Sequence, residues 1–171
     1  TQAKAAEWAA YMATYTTVPP ETSAANSGST TNNSTPVTAP SGGTWLRPCS
    51  YTYMSSPFGY RQSPTSGAST YHQAVDLAAP AMTPIYATRA GQVTTARYSN
   101  SAGNYVSINH MDGFASIYMH MTSYVVSAGQ TVSAGQLIGY VGKTGIATGN
   151  HLHFGISYNG VYVNPAQYVS F

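Results

Sequence analysis

Charge is what this sequence has least of. Six basic and four acidic residues make up 6% of its 171 positions, where an ordinary globular domain has about a quarter. The acids are Glu7, Glu21, Asp76 and Asp112, so no glutamate follows residue 21. That excludes a helix-borne His-Glu-x-x-His protease from the body of the chain. A glycosidase with two flanking carboxylates would have to use Asp76 and Asp112, and Asp112 falls in a predicted turn, which argues against cleavage of sugars. A Ser-His-Asp hydrolase lacks its usual Gly-x-Ser-x-Gly elbow. Cysteine is nearly absent too. Cys49 stands alone, so neither an intrachain disulfide nor a thiolate zinc site can form, and it reads as a small buried hydrophobe. No apolar run is long enough to span a membrane, and no signal peptide is visible. The start at Thr1 reads as a piece processed or excised from a longer protein. The net charge of +2 comes from scattered residues, Lys4, Arg47, Arg61, Arg89, Arg97 and Lys143. Nucleic-acid binders cluster such residues, so no nucleic-acid partner is expected.

The missing charge is replaced by Tyr, Ser, Thr, Ala and Gly, the mixture of a β-rich extracellular domain. Residues 1–17 are Ala-rich, and Trp8, Tyr11, Met12 and Tyr15 fall on one helical stripe. A short helix, or the end of a coiled coil, is expected there. Residues 18–43 are dominated by Ser, Thr, Asn, Gly and Pro and read as a flexible linker. From 44 to 171, short runs of Val, Ile, Tyr and Thr alternate with turn residues. Gln92–Tyr98, Asn104–Asn109, Phe114–Met119, Leu137–Val141, His151–Tyr158 and Val161–Val163 read as strands. Asp112-Gly113 and Asn159-Gly160 read as hairpin turns. The expected fold is all-β and mostly antiparallel. Val126-Ser127-Ala128-Gly129-Gln130 recurs six positions later as Val132-Ser133-Ala134-Gly135-Gln136. That spacing is too short for a solenoid and suits two tight turns at a barrel rim or sandwich edge.

Five histidines stand against the scarcity of acids: His72, His110, His120, His151 and His153. On a strand, His151 and His153 share a face while Leu152 points into the core. Two adjacent imidazoles repel when both are charged, and a metal bound by one relieves this. With His72 and Asp76, four residues apart, one of that pair completes two imidazoles and a carboxylate. Three such ligands with an open fourth position are the signature of a catalytic zinc site. His110 lies beside a hairpin turn, and a surface role is expected for it.

His72-Gln73-Ala74-Val75-Asp76, Tyr118-Met119-His120 and His151-Leu152-His153-Phe154 resemble the motifs of the lysostaphin-type, or LytM-like, zinc peptidoglycan endopeptidases. Ser56-Pro57-Phe58-Gly59-Tyr60-Arg61 looks like that family's opening segment. Pro84-Ile85-Tyr86-Ala87 and Ile138-Gly139-Tyr140-Val141-Gly142 agree with what surrounds its motifs. The resemblance covers about Trp45 to Phe171. It implies one zinc ion per chain held by His72, Asp76 and His153, with His120 and His151 as the two non-ligand catalytic histidines. Two departures from the family, Ala74 for a common Gly and Gly155 for a common Glu, touch no ligand and bear on groove shape.

The implied chemistry is hydrolysis of a peptide bond, in the cross-bridge or stem peptide of bacterial peptidoglycan. Zinc lowers the pKa of water from about 15.7 to about 7, and a histidine must carry the proton. Either His120 or His151 can be that base, the other stabilising the oxyanion or protonating the amine. A non-catalytic wall-binding or amidase-activator protein of the same family is the alternative. A biotin or lipoyl carrier is disfavoured, because His120 stands between Met119 and Met121 where a carrier needs lysine. A monomeric domain, secreted and extracellular or wall-associated, is expected.

Overall fold

The computed structural model describes residues 43–171. The helix expected over 1–17, and all but the last residue of the linker expected over 18–43, lie outside the described residues. Twelve short strands follow: β1 (Tyr53–Ser56), β2 (Gly59–Tyr60), β3 (Tyr71–His72), β4 (Val75–Ala78), β5 (Pro84–Tyr86), β6 (Gly91–Ser99), β7 (Gly103–Asn109), β8 (Phe114–Tyr124), β9 (Thr131–Val132), β10 (Leu137–Val141), β11 (His151–Tyr158) and β12 (Val161–Val163). Among the described residues there is no α-helix, only a 3-10 turn at Pro165–Gln167. The main sheet runs β1-β4-β11-β8-β7-β6-β9, with β10 joining β5 to β8 and β12 lying beside β11. Its pairings are all antiparallel, and β2 pairs with β3 in a separate ribbon.

Both hairpin turns form where the sequence places them. Asn159 and Gly160 take φ of 48° and 79°, and Gly113 takes 90° after β7, conformations that Gly and Asn adopt at low cost. The duplicated pentapeptide makes the same turn twice. Gln130 Oε1 accepts from the Ser127 N–H at 3.1 Å, and Gln136 Oε1 from the Ser133 N–H at 3.0 Å.

Alternation along the central strands sorts the side chains. Leu152, Phe154 and Ile156 on β11, Val75 and Leu77 on β4, and Phe114 and Tyr118 on β8 point to one side and join the main core. Each is 1% exposed or less, and burying a side chain of this size stabilises by about 1.5–3 kcal/mol. Cys49 joins this core at 3% exposure, as expected. On the opposite side lie His151, His153, Gly155 and Ser157 of β11, with a smaller cluster of Ala102, Tyr105, Ile117 and Met119. His151 and His153 are half-buried there, which makes theirs the more open face at this end of the strand.

Trp45 packs edge-on against His110, ring centroids 5.2 Å apart, and against Phe114 at 5.6 Å. The surface role expected for His110 is therefore wrong. The residue is 6% exposed, its Nδ1 lies 2.8 Å from the Ala90 carbonyl, and its Nε2 is 2.9 Å from the Ser116 hydroxyl. The turn beside it is exposed, but the hairpin folds the imidazole inward, where two hydrogen bonds satisfy both ring nitrogens.

Candidate metal centre

Register builds the centre. In the β4–β11 ladder His153 stands directly opposite Asp76, so their side chains share the open face. His72 ends β3, where it pairs with Gly59 of β2. Three ligand-capable atoms meet there. His72 Nε2 is 3.2 Å from Asp76 Oδ1, His153 Nδ1 is 3.0 Å from the same oxygen, and the two nitrogens are 3.2 Å apart.

An outer hydrogen bond assigns the His72 tautomer. A carbonyl only accepts, so His72 Nδ1, 3.0 Å from the Pro57 carbonyl, carries the hydrogen. Its Nε2 is then a bare lone pair facing a carboxylate oxygen. His153 Nδ1 lies within hydrogen-bond reach of both, so a proton there can bridge them in the metal-free protein, and a cation can take that proton's place. Tetrahedral zinc with bonds of about 2.0–2.1 Å spaces its ligands about 3.3 Å apart, close to the separations found. Two imidazoles and one carboxylate are also a donor set that zinc takes in catalytic sites. The residues fit the ion.

Asp76 is held from behind. Arg61 donates to its Oδ2 at 3.0 Å and to Ser56 Oγ at 2.7 Å. Oδ1 is thus left to the histidines. Burial alone would raise the Asp76 carboxyl, but the close contacts with His153 and His72 outweigh it and hold the group well below the carboxylate range. His153 is shifted down, first by burial, against the opposing pull of Asp76. Sequence reasoning gave Arg61 no role. The one available signal was its position as the only cation between Arg47 and Arg89, close before the His-x-x-x-Asp motif.

His120 and His151 stand beside this triangle, ring centroids 4.8 Å apart. His151 Nδ1 lies 2.8 Å from the Gly149 carbonyl and His120 Nδ1 lies 2.8 Å from the Thr144 carbonyl. Both therefore donate through Nδ1 and keep Nε2 as an acceptor. His151 Nε2 is 3.7 Å from Asp76 Oδ1. His120 is 6% exposed and has φ of 62°, a left-handed conformation that costs a non-glycine residue about 1–3 kcal/mol. It sits where the β7–β8 register slips, between the Asn104–Met121 and Val106–Tyr118 pairs, a bulge of the kind that re-aims a side chain. Burial, then the neighbouring His153 and His151, push its imidazole down to about 3. The structure thus brings together all five predicted site residues, His72, Asp76, His120, His151 and His153, and leaves His110 apart.

The profile described as "Peptidase family M23" matches residues 70–165. The chain belongs to peptidase family M23. The catalytic domain of the antimicrobial peptidase lysostaphin from Staphylococcus simulans superposes with a TM-score of 0.61 at 32% identity, covering 67% of this chain and 89% of that one. A zinc containing peptidase from Vibrio cholerae gives 0.63 at 35% identity, covering 68% of this chain and 37% of that one. The peptidoglycan DD-endopeptidase ShyC of Vibrio cholerae is 38% identical over 119 residues, 69% of this chain and 28% of its own. This M23 chain spans under a third of the length of such curated relatives. Its fold is that of the lysostaphin-type peptidases.

Proposed function

We propose that this M23 domain hydrolyses a peptide bond in bacterial peptidoglycan, with one zinc ion held by His72, Asp76 and His153. The observation that carries the reading is the triangle of ligand-capable atoms 3.0–3.2 Å apart, with the His72 hydrogen committed to the Pro57 carbonyl. The likeness to a zinc containing peptidase and to a peptidoglycan DD-endopeptidase supports the metal and the substrate class. Bound there, zinc supplies Lewis-acid polarisation of the scissile carbonyl and acidifies water to a pKa of about 7.

The protein's own residues supply the rest. His151 and His120 present Nε2 lone pairs beside the centre, each ring fixed by a carbonyl behind it. A positive charge developing on His151 has the Asp76 carboxylate 3.7 Å away. We assign His151 as the group that takes a proton at Nε2 and delivers it to the leaving amine. His120 is buried and donates through Nδ1 to the Thr144 carbonyl, so we assign its Nε2 as an acceptor that orients the attacking water or the peptide N–H. A wall substrate places the domain outside the cytoplasm, secreted or wall-associated.

The test is direct. Metal-free protein should bind one zinc per chain, and the loaded form should release new amino termini from purified peptidoglycan. Absence of zinc binding would sink the metal assignment. Zinc bound without any new termini would favour a non-catalytic wall-binding role.

A further inference from the structure

His120 is held by two turns that carry no proposed ligand, 101–104 and 144–146. Its backbone N–H donates to the Ala102 carbonyl at 2.8 Å. Its ring donates through Nδ1 to the Thr144 carbonyl at 2.8 Å. A further hold is on the residue that follows it. The Thr144 hydroxyl donates to the Met121 carbonyl at 2.7 Å and accepts the Asn104 N–H at 3.0 Å. Thr144 thus grips the His120 ring with its carbonyl and the next residue of β8 with its hydroxyl.

The two turns are locked to each other. The Ile146 N–H donates to the Ser101 carbonyl at 2.9 Å. Gly103 and Gly145 take φ of 65° and 76°. A Cβ on Gly103 would run into Thr144, and one on Gly145 into the backbone of Ser101 and Gly103. Backbone therefore packs on backbone, an approach that glycine permits. The Asn104 amide also donates to the Met121 and Thr122 carbonyls, at 3.3 and 2.9 Å. These bonds converge on the β8 bulge where His120 takes its left-handed φ of 62°. A non-glycine residue persists in that conformation only where its surroundings over-determine it.

We propose that Thr144 is the positioning residue of His120, fixing its ring with the hydrogen on Nδ1 and the Nε2 lone pair beside the metal centre. A neutral imidazole carries one N–H, and the bond made by one nitrogen decides which lone pair is left on the other. The hydroxyl matters because it ties the Thr144 peptide to β8 one residue beyond the ring that its carbonyl orients. Without that tie the carbonyl is free to shift, and the ring can turn or take its other tautomer. A misplacement on the order of 1 Å can lower a rate about 100-fold. The effect on hydrolysis rests on the peptidase reading above, whereas the hold on the ring does not.

Thr144→Val keeps the side-chain shape and removes the hydroxyl, and Thr144→Ser keeps the hydroxyl. NMR of the metal-free parent at mildly alkaline pH should show a His120 Nδ1 hydrogen in slow exchange with water, coupled across its hydrogen bond to the Thr144 carbonyl carbon. The signal should be absent from His120→Ala. Thr144→Val should lose that signal while still binding one zinc per chain. Its release of new termini from peptidoglycan should fall about 10-fold or more, toward the roughly 100-fold scale of losing the histidine itself. Thr144→Ser should restore both the signal and most of the rate. Three results overturn the proposal: Thr144→Val with signal and rate unchanged, a lost signal at full rate, or a lost rate that Thr144→Ser does not restore. Should Thr144→Val fail to bind zinc, the parent decides alone, and a hydrogen on His120 Nε2 instead of Nδ1 overturns the assignment. A zinc-loaded parent that releases no termini discards the peptidase reading, and the Nδ1 signal still decides whether Thr144 holds the ring.

Discussion

The two faces of β11 (His151–Tyr158) have opposite properties within one strand. Leu152, Phe154 and Ile156 are fully buried and bear no polar side-chain atoms. His151 and His153, one residue out of step, carry lone pairs, hydrogen bonds and a carboxylate contact. A period of two lets one segment hold the core with one face and do chemistry with the other. The core face also fixes the chemistry. Phe154 against Tyr118, ring centroids 5.3 Å apart, sets the height and register at which His153 meets Asp76 across the ladder.

The sharpest break of this comparison is between neighbours. His153→Ala removes one of three ligands. It should lower zinc affinity by more than the roughly 10- to 100-fold typical of losing an outer-shell partner, and abolish wall hydrolysis, while the melting temperature of the metal-free protein barely changes. Phe154→Ala should do the reverse. It should cost about 3–5 kcal/mol of stability, and whatever protein remains folded should still bind zinc. Equilibrium unfolding and zinc titration on both variants separate the two faces. Equal stability losses would end the division of labour.

A finer cut lies within the chemical face. His151→Ala and His120→Ala each leave His72, Asp76 and His153 in place, so zinc should bind nearly as in the parent. Hydrolysis should fall about 100-fold or more, the usual scale for losing a positioned acid or base. Loss of metal from His151→Ala with retention in His153→Ala would reverse the ligand assignment.

How much of this is legible in the sequence follows from strand length and local chemistry. β10, β11 and β12 have the predicted bounds, because each is a regular run closed by turn residues. The sequence pattern ends β8 at Met119, and the strand runs on to Tyr124. The left-handed residue that follows Met119 interrupts the alternation that a sequence reading follows, and that residue is the catalytic candidate His120. β1 to β5 and β9 have two to four residues each, too few to show a period, although β3 and β4 carry His72 and Asp76. Those two were found through residue type and spacing. Arg61 reaches Asp76 across 15 positions and has no local pattern to betray it. His110 was misplaced for a related reason, since a turn predicts where the backbone is exposed and not which way a neighbouring ring points.

His110 also gives the smallest and most selective test, because it contrasts a histidine used for packing with those at the open face. Burial is the main cause that lowers its imidazole below the ordinary 6.5, assisted by Arg89 and opposed by the Ala90 carbonyl and Asp112. The folded protein therefore resists protonating it, while the unfolded chain takes the proton near pH 6.5. Above that pH both states are neutral and its contribution to stability is complete. As pH falls from about 6.5 toward the folded value, the unfolded state binds more protons and stability drops, by at most about 1.4 kcal/mol per pH unit for one group. His120 and His153, also shifted down, add slopes of the same sign in the metal-free protein, so the parent's curve alone cannot isolate His110. The difference between the parent and His110→Gln does, since glutamine does not titrate and keeps a donor and an acceptor for the Ala90 carbonyl and the Ser116 hydroxyl. That variant should be less stable at pH 8, bind zinc as the parent does, and lose less stability than the parent between pH 6.5 and 5. Parallel stability curves over that interval would mean that His110 titrates in the folded protein as it does in the unfolded chain, and that its burial behind Trp45 carries no electrostatic cost.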